Sequence, residues 1–122
     1  GWDTALVKTM LWTFYEATSF DGVGLSGWDT SAVLNMYQMF YMVYFFNEDV
    51  SGWDTTRVLT MQNMFGNAGS FNIDVSGWDT SSVTNMSYIF YGATSFSQCL
   101  KWDLKDTTDT TGMFGNSDGS IC

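Results

Sequence analysis

The sequence contains no histidine, and it has only 4 basic residues against 13 acidic ones, which gives a formal charge of −9. Scattered basic residues cannot neutralise a run of nucleic-acid phosphates, and an acidic chain is repelled by anionic lipid headgroups. The basic residues are Lys8, Arg57, Lys101 and Lys105. We therefore expect no nucleic-acid partner and no membrane insertion.

Residues for catalysis are equally scarce. Without histidine, without a nucleophile paired to a base and without a phosphate-binding glycine loop, acid–base chemistry would depend on carboxylates alone. These carboxylates recur along the chain instead of pairing at one cleft. The sequence predicts a protein that is not an enzyme, with no catalytic residue, no cofactor and no metal.

Long apolar runs are also missing. The longest covers residues 39–46, whereas a membrane-spanning helix needs about 18 or more apolar residues. Hydrophobic residues nevertheless make up 45% of the chain and aromatic residues 18%, so the chain has enough apolar surface to fold. Its 122 residues predict a single domain.

A repeated motif dominates the sequence. The dipeptide Trp-Asp recurs at spacings of 26, 25, 25 and 24 residues, and we count offsets within a repeat from its Trp. Apolar residues recur at offsets 5, 8, 12, 15 and 18 in four copies, and the fifth copy is eroded. We divide the chain into repeats 1 to 5, covering residues 1–26, 27–51, 52–76, 77–100 and 101–122. Because Gly1 already belongs to the motif, we expect it to be a processing point or a boundary.

The spacing of the apolar residues predicts one short α-helix in each repeat. Offsets 5, 8, 12 and 15 match the buried stripe of a helix of about three turns. Segments such as Asp79-Thr80-Ser81 resemble helix caps, and residues 73–76 alternate like a short strand. We therefore predict an α/β repeat fold, a leucine-rich-repeat-like solenoid of about five coils, each with a short parallel strand and a short helix.

Residues 71–86, followed by Ile89-Phe90, resemble the BspA-like leucine-rich repeats of bacterial and microbial-eukaryote surface proteins. The resemblance covers nearly the whole chain. It implies a leucine-rich-repeat-like solenoid that is secreted or attached to the cell surface and linked to adhesion. The family has no established catalytic residues. Residues 21–24 of the first repeat and the last repeat depart from the pattern.

The two cysteines, Cys99 and Cys122, are 23 residues apart, close to one repeat length. That spacing would place them in neighbouring coils, within reach of a disulfide that fastens the eroded last repeat. A free pair and a metal site are the alternatives, although two cysteines without histidine are few ligands. A disulfide indicates an oxidising compartment, so we predict a secreted or cell-surface protein.

Two columns of residues, one of aspartates and one of tryptophans, recur at the repeat spacing. The carboxylates cap a turn or helix in our interpretation, and a row of Ca²⁺ sites is the alternative. The indoles lie in the core if the glycine before each Trp bends the chain, and otherwise they form an exposed strip suited to sugar rings. The columns are Asp3, Asp29, Asp54, Asp79 and Asp103, and Trp2, Trp28, Trp53, Trp78 and Trp102.

Repeats 1 and 2 carry extra aromatic residues outside the core offsets. Such a patch indicates an interface with a partner, packing against residues before Gly1, or stacking of subunits into a fibril. The interface residues that we predict are Trp12, Tyr15, Tyr37, Tyr41, Tyr44 and Phe45. Asn85-Met86-Ser87 is the only N-glycosylation sequence, so Asn85 is a candidate site in a secreted glycoprotein, or else an unmodified exposed residue.

These observations favour a non-catalytic extracellular or cell-surface scaffold that binds a protein or a glycan in adhesion. The alternative is a structural protein, a subunit of an extracellular fibre or surface coat. Its partner would then be a second copy of the chain.

Overall fold

A computed structural model describes all residues 1–122. Regular secondary structure is limited to a 3₁₀-helix at Leu25–Gly27 and two strands, β1 at Cys99–Leu100 and β2 at Ser120–Ile121, which pair in parallel. The remaining residues form turns and extended segments. Single parallel bridges connect Thr9, Asn35, Thr60, Asn85 and Asp109 in that order.

The predicted α/β leucine-rich-repeat solenoid is wrong. No repeat contains an α-helix, and the segment 73–76, predicted to be a strand, forms no strand and leads into the turn from Val75 to Trp78. Each repeat is a series of tight turns. Repeats nevertheless lie directly against one another, because backbone hydrogen bonds join residues about 25 positions apart.

Left-handed backbone conformations explain why the helix does not form. In every repeat the residues at offsets 10 and 14 have φ between 50° and 68°. In repeat 2, Met39 N–H donates to the Met36 carbonyl and Val43 N–H to the Phe40 carbonyl, with Gln38 and Met42 left-handed. A positive φ at the third residue is the mark of a type II turn. Two such turns in succession bury the same offsets as a helix would.

The remaining peptide groups of these turns point along the stack. N–H groups at offsets 8, 10, 12 and 14 donate to carbonyl groups at offsets 7, 9, 11 and 13 of the next repeat, with N···O distances of 2.7–3.0 Å. Met36 N–H, for example, donates to the Thr60 carbonyl. These bonds satisfy backbone groups that a helix would satisfy internally, so the repeats depend on one another.

Stacked phenylalanine rings form the core. The rings at offset 12 follow one another along the stack with centroids 5.5–5.7 Å apart. In repeats 1 to 4 each also lies beside the ring at offset 18 of its own repeat. Valine, methionine and alanine side chains at the other repeat offsets fill the space around them. The offset-12 column is Phe14, Phe40, Phe65, Phe90 and Phe114. No helix in the structure has the length and apolar character needed to cross a membrane.

Candidate functional site

Aspartate side chains close turns throughout the stack. In the column that begins at Asp3, an Oδ1 atom accepts from the N–H two residues later, as Asp79 does from Ser81 at 2.9 Å. Asp103 is exposed and makes no such bond. Asp49 and Asp74, before the next Trp, close a second column of turns in the same way. These carboxylates therefore have a structural partner and cap turns, since the chain has no α-helix to cap.

Hydrogen bonding also changes the acidity of these carboxyl groups. The Ser31 hydroxyl and backbone N–H lower the pKa of Asp29, and Ser81 lowers the pKa of Asp79 in the same way. Backbone and hydroxyl donors of Thr56 lower the pKa of Asp54. The structure contains no group of three or more His, Cys, Asp or Glu residues that could hold a metal ion.

These pKa shifts predict that acid weakens the fold. A carboxyl group with a lowered folded-state pKa stabilises the protein above its unfolded pKa of about 3.9 and loses that contribution as pH falls through the folded value. We expect the urea midpoint to fall steadily below about pH 4. High salt in all samples screens the general repulsion of an acidic chain. The variant Asp79→Asn, which keeps an oxygen acceptor but cannot titrate, should lose less stability than the parent, and a midpoint that rises in acid contradicts this prediction.

The Trp column lies mostly inside the protein. Trp53, Trp78 and Trp102 are buried, and Trp28 is half-buried, while Trp2 is 79% exposed. The turn from Val75 to Trp78, closed by a hydrogen bond from Trp78 N–H to the Val75 carbonyl, directs both side chains inward. The buried indoles therefore leave no exposed strip for sugar rings.

Each buried indole also fastens two repeats together. Trp53 Nε1 donates to the Leu25 carbonyl at 2.9 Å, and Trp78 Nε1 donates to the Val50 carbonyl at 3.1 Å. Trp102 Nε1 makes the equivalent bond to the Val75 carbonyl. A buried indole N–H needs a partner, and here that partner is always in the preceding repeat.

Cys99 and Cys122 form a disulfide, with their Cα atoms 5.3 Å apart. Cys99 is the first residue of β1 and lies opposite Ser120 of β2, and Cys122 directly follows β2. It fastens the last residues of the chain beside repeat 4.

Four of the aromatic residues predicted to form an interface lie together. Trp12 and Tyr37 have ring centroids 6.2 Å apart, and Tyr15 and Tyr41 stack at 5.3 Å. We call these four residues the aromatic face. Tyr44 and Phe45 are exposed farther along the turn and make no ring contact with them. The structure therefore brings together Trp12, Tyr15, Tyr37 and Tyr41.

Glycines in the next repeat determine how the tyrosine rings lie. A Cβ atom added at Gly66 would meet the ring of Tyr41, so this ring leans over the glycine. Because Tyr15 stacks on its other side, Tyr41 has neighbours on both ring faces. Tyr91 leans over Gly115 in the same manner. Both flat sides of the Tyr41 ring are therefore covered within the chain, whereas Trp12 and Tyr15 each have one ring neighbour and are more exposed.

Gln38 completes the aromatic face, and the sequence reasoning missed it. Its Oε1 atom accepts a hydrogen bond from Trp12 Nε1 at 2.9 Å, and Trp12, Tyr15 and Gln38 line an open recess of about 450 Å³. Hydrogen bonding with the Glu16 carboxylate is the main cause that raises the pKa of Tyr15. Tyr88 and Tyr91 were also missed, although Tyr91 shares offset 13 with Tyr15 and Tyr41.

The side chain of Asn85 is engaged within the fold. Its Oδ1 accepts from both the backbone N–H and the hydroxyl of Ser87, and its Nδ2 donates to Gln62 Oε1 at 3.2 Å. A glycan on Nδ2 would therefore have to fit beside the Gln62 side chain, and glycosylation stays a prediction.

Turn-built layers of about 25 residues, stacked on columns of aromatic rings, place this chain among repeat proteins without an α-helix. Residues 8–120 match the family described as "Mycoplasma protein of unknown function, DUF285", and the chain belongs to this family. No curated protein matches the sequence, and no solved structure matches it.

Proposed function

We propose that the chain is a non-catalytic binding module that works outside the cell and recognises a protein through its aromatic face. The observation that carries this proposal is the grouping of Trp12, Tyr15, Tyr37 and Tyr41 on one side of repeats 1 and 2. Protein interfaces are enriched in tyrosine and tryptophan and depleted in charged residues. The four residues of the aromatic face are uncharged, and Glu16 is a charged neighbour of Tyr15.

The covered ring of Tyr41, in the centre of the aromatic face, favours a protein over a glycan as the ligand. Sugar rings stack on the flat side of an aromatic ring, and both flat sides of Tyr41 have neighbours within the chain. Aromatic rings, tyrosine hydroxyl groups and the Gln38 amide together suit the mixed apolar and polar contacts of protein surfaces.

Three observations support the rest of the proposal. The disulfide is typical of oxidising compartments, and the resemblance to BspA-like surface proteins points to the same location. The absence of histidine in the sequence, together with carboxylates that are already engaged in turns, favours binding over catalysis. Adhesion is then a consequence of surface location combined with an exposed contact face.

An array of secreted and cell-surface proteins, with an array of neutral glycans beside it, tests the proposal. We expect the labelled chain to bind specific proteins, and the double variant Trp12→Ala/Tyr41→Ala to bind them at least about tenfold more weakly, since central aromatic residues dominate interfaces. The matched control Gln62→Ala/Asn63→Ala changes nearby offsets in repeat 3. Binding confined to glycans, or binding that both double variants keep equally, contradicts the proposal.

A further inference from the structure

Tyr88 and Tyr91 form a second cluster of exposed aromatic residues, in repeat 4. Their ring centroids are 5.7 Å apart in an edge-to-face arrangement, and each side chain is 38% exposed. Repeat 4 has a neighbour on both sides, since its N–H groups donate to repeat 5 and its carbonyl groups accept from repeat 3. The exposure of the two tyrosines is therefore a property of the stack itself.

Glycines of repeat 5 provide the space in which the two rings lie. A Cβ atom added at Gly112 would meet the ring of Tyr88, and one added at Gly115 would meet the ring of Tyr91. Any other residue type at either position would push the ring away. The glycines therefore keep both rings in one orientation, and an ordered side chain loses less freedom when a ligand binds.

The backbone at Tyr88 is strained. Tyr88 has a φ of 57°, and at the same offset Trp12 and Gln38 have φ of 59° and 50°. Large side chains rarely adopt this left-handed conformation, whereas asparagine does so more readily, as at Asn63. Strained backbone of this kind clusters at ligand sites, where the contact made by the side chain outweighs the cost. Offset 10 therefore holds side chains that serve contact better than stability.

The two aromatic clusters face the same direction. The rings of Phe40, Phe65 and Phe90 are rotated by only 5° and 2° from one repeat to the next, so the repeats carry equivalent offsets on one side of the stack. Parallel strands lie about 4.8 Å apart, and parallel bridges join the repeats. Trp12 and Tyr88, three repeats apart, therefore lie about 14 Å from each other along the stack.

The surface that connects the clusters carries no charge. Offsets 9, 10 and 13 of repeats 1 to 4 hold only aromatic, leucine, amide, serine and glycine residues, although the chain has a net charge of −9. In repeat 3 these positions are Gln62 and Asn63, which are half-buried, and Gly66, which is buried. The aromatic clusters thus lie on either side of a lower middle. An uncharged ligand is the complement, because a charged group would lose water here without gaining an ionic partner.

We propose that Tyr88 and Tyr91 contact the same partner protein as the aromatic face, and that an uncharged extended segment of that partner lies along the stack over repeats 1 to 4. The second contact site rests on the proposed function and adds to it the form of the ligand. Residues four positions apart in an extended chain face the same way and lie about 13 Å apart. Two apolar side chains at this spacing reach Trp12 and Tyr88 together.

Peptides of about 12 residues, long enough to span both clusters, test the proposal when they are selected from a random phage-displayed library on the immobilised parent chain. We expect uncharged peptides with apolar residues four positions apart. Tyr88→Asn and Tyr91→Ala should bind them at least about tenfold more weakly than the parent. Tyr44→Ala is the matched control, because Tyr44 is 39% exposed and lies at offset 16, outside both clusters.

Thermal melting separates a contact role of Tyr88 from a structural one. Asn63 occupies offset 10 of repeat 3 with a φ of 54°, so asparagine suits this backbone. Tyr88→Asn should therefore melt at or above the temperature of the parent while it loses peptide binding. A lower melting temperature together with unchanged peptide binding assigns Tyr88 a structural role and overturns the proposal.

Other results distinguish the second contact site from the proposed function. If Trp12→Ala/Tyr41→Ala loses binding while Tyr88→Asn and Tyr91→Ala bind like the parent, the second site is wrong and the proposed function stands. The same holds if the parent binds proteins of the array but selects no peptides, or selects mainly charged ones. A parent chain that binds no protein on the array contradicts both proposals.

Discussion

Phe65→Ala is expected to remove a large part of the stability of the protein. The Phe65 ring lies between those of Phe40 and Phe90 at 5.5 and 5.7 Å, and it stacks on Phe71 at 3.9 Å. Replacing a buried phenylalanine by alanine costs about 3–5 kcal/mol, whereas whole domains are stable by about 5–15 kcal/mol. Denaturation in urea, followed by tryptophan fluorescence, measures the loss.

Two further variants make this prediction specific to the stack. Phe45→Ala removes a ring that is 64% exposed, and we expect a change within about 0.5 kcal/mol. Phe14→Ala removes a ring from the end of the same column, where the adjoining rings of another repeat, those of Phe40 and Trp28, all belong to repeat 2, so the loss should be intermediate. Equal losses at Phe14 and Phe65 would falsify the view that neighbouring repeats supply the stability.

Removal of the disulfide is expected to loosen repeat 5 before the rest of the chain. The bond closes a 23-residue separation, for which the chain-entropy model gives about 3 kcal/mol. Repeat 5 has one neighbouring repeat instead of two, and it lacks the phenylalanine that the other repeats carry at offset 18. In a stack of repeats each unit depends on its nearest neighbours, so the loss should be local.

Hydrogen exchange in Cys99→Ser/Cys122→Ser measures this local effect. Amides that bond repeat 4 to repeat 5, such as Met86 N–H and Phe90 N–H, should exchange faster than in the parent. Amides between repeats 2 and 3, such as Phe40 N–H, serve as the internal control and should change little. Equally faster hydrogen exchange in all repeats, or unchanged exchange in repeat 4, contradicts the prediction.

The sequence predicted the repeat period and the apolar offsets of the core but not the backbone that connects them. Two successive type II turns bury offsets 8, 12 and 15 just as a helix does, so hydrophobic spacing alone cannot separate the two. The distinguishing signal is glycine or asparagine at offsets 10 and 14, as at Asn63 and Asn67. Repeats 1 and 2 lack this signal, because residues such as Trp12 and Met42 occupy the same left-handed positions.

The candidate site was predictable in location but not in geometry. The exposed aromatic residues of repeats 1 and 2 stood out because they lie outside the core offsets. The direction of the Tyr41 ring depends on Gly66, which lies one repeat farther along. The inward direction of Trp78 followed from a turn that the strand interpretation of residues 73–76 did not contain, although Gly77 marked the bend.

The backbone hydrogen bonds between adjacent repeats also determine how this chain folds. Nearly every backbone bond outside the local turns joins residues about 25 positions apart, so one repeat alone has few partners for its amides. Closing a loop of that length must come before any of these bonds can form, and proteins dominated by distant contacts fold slowly. The smallest folding nucleus is therefore a pair of adjacent repeats, about 50 residues of chain. During synthesis, the aromatic side chains of a repeat therefore stay exposed until the next repeat has been synthesised and packs against them.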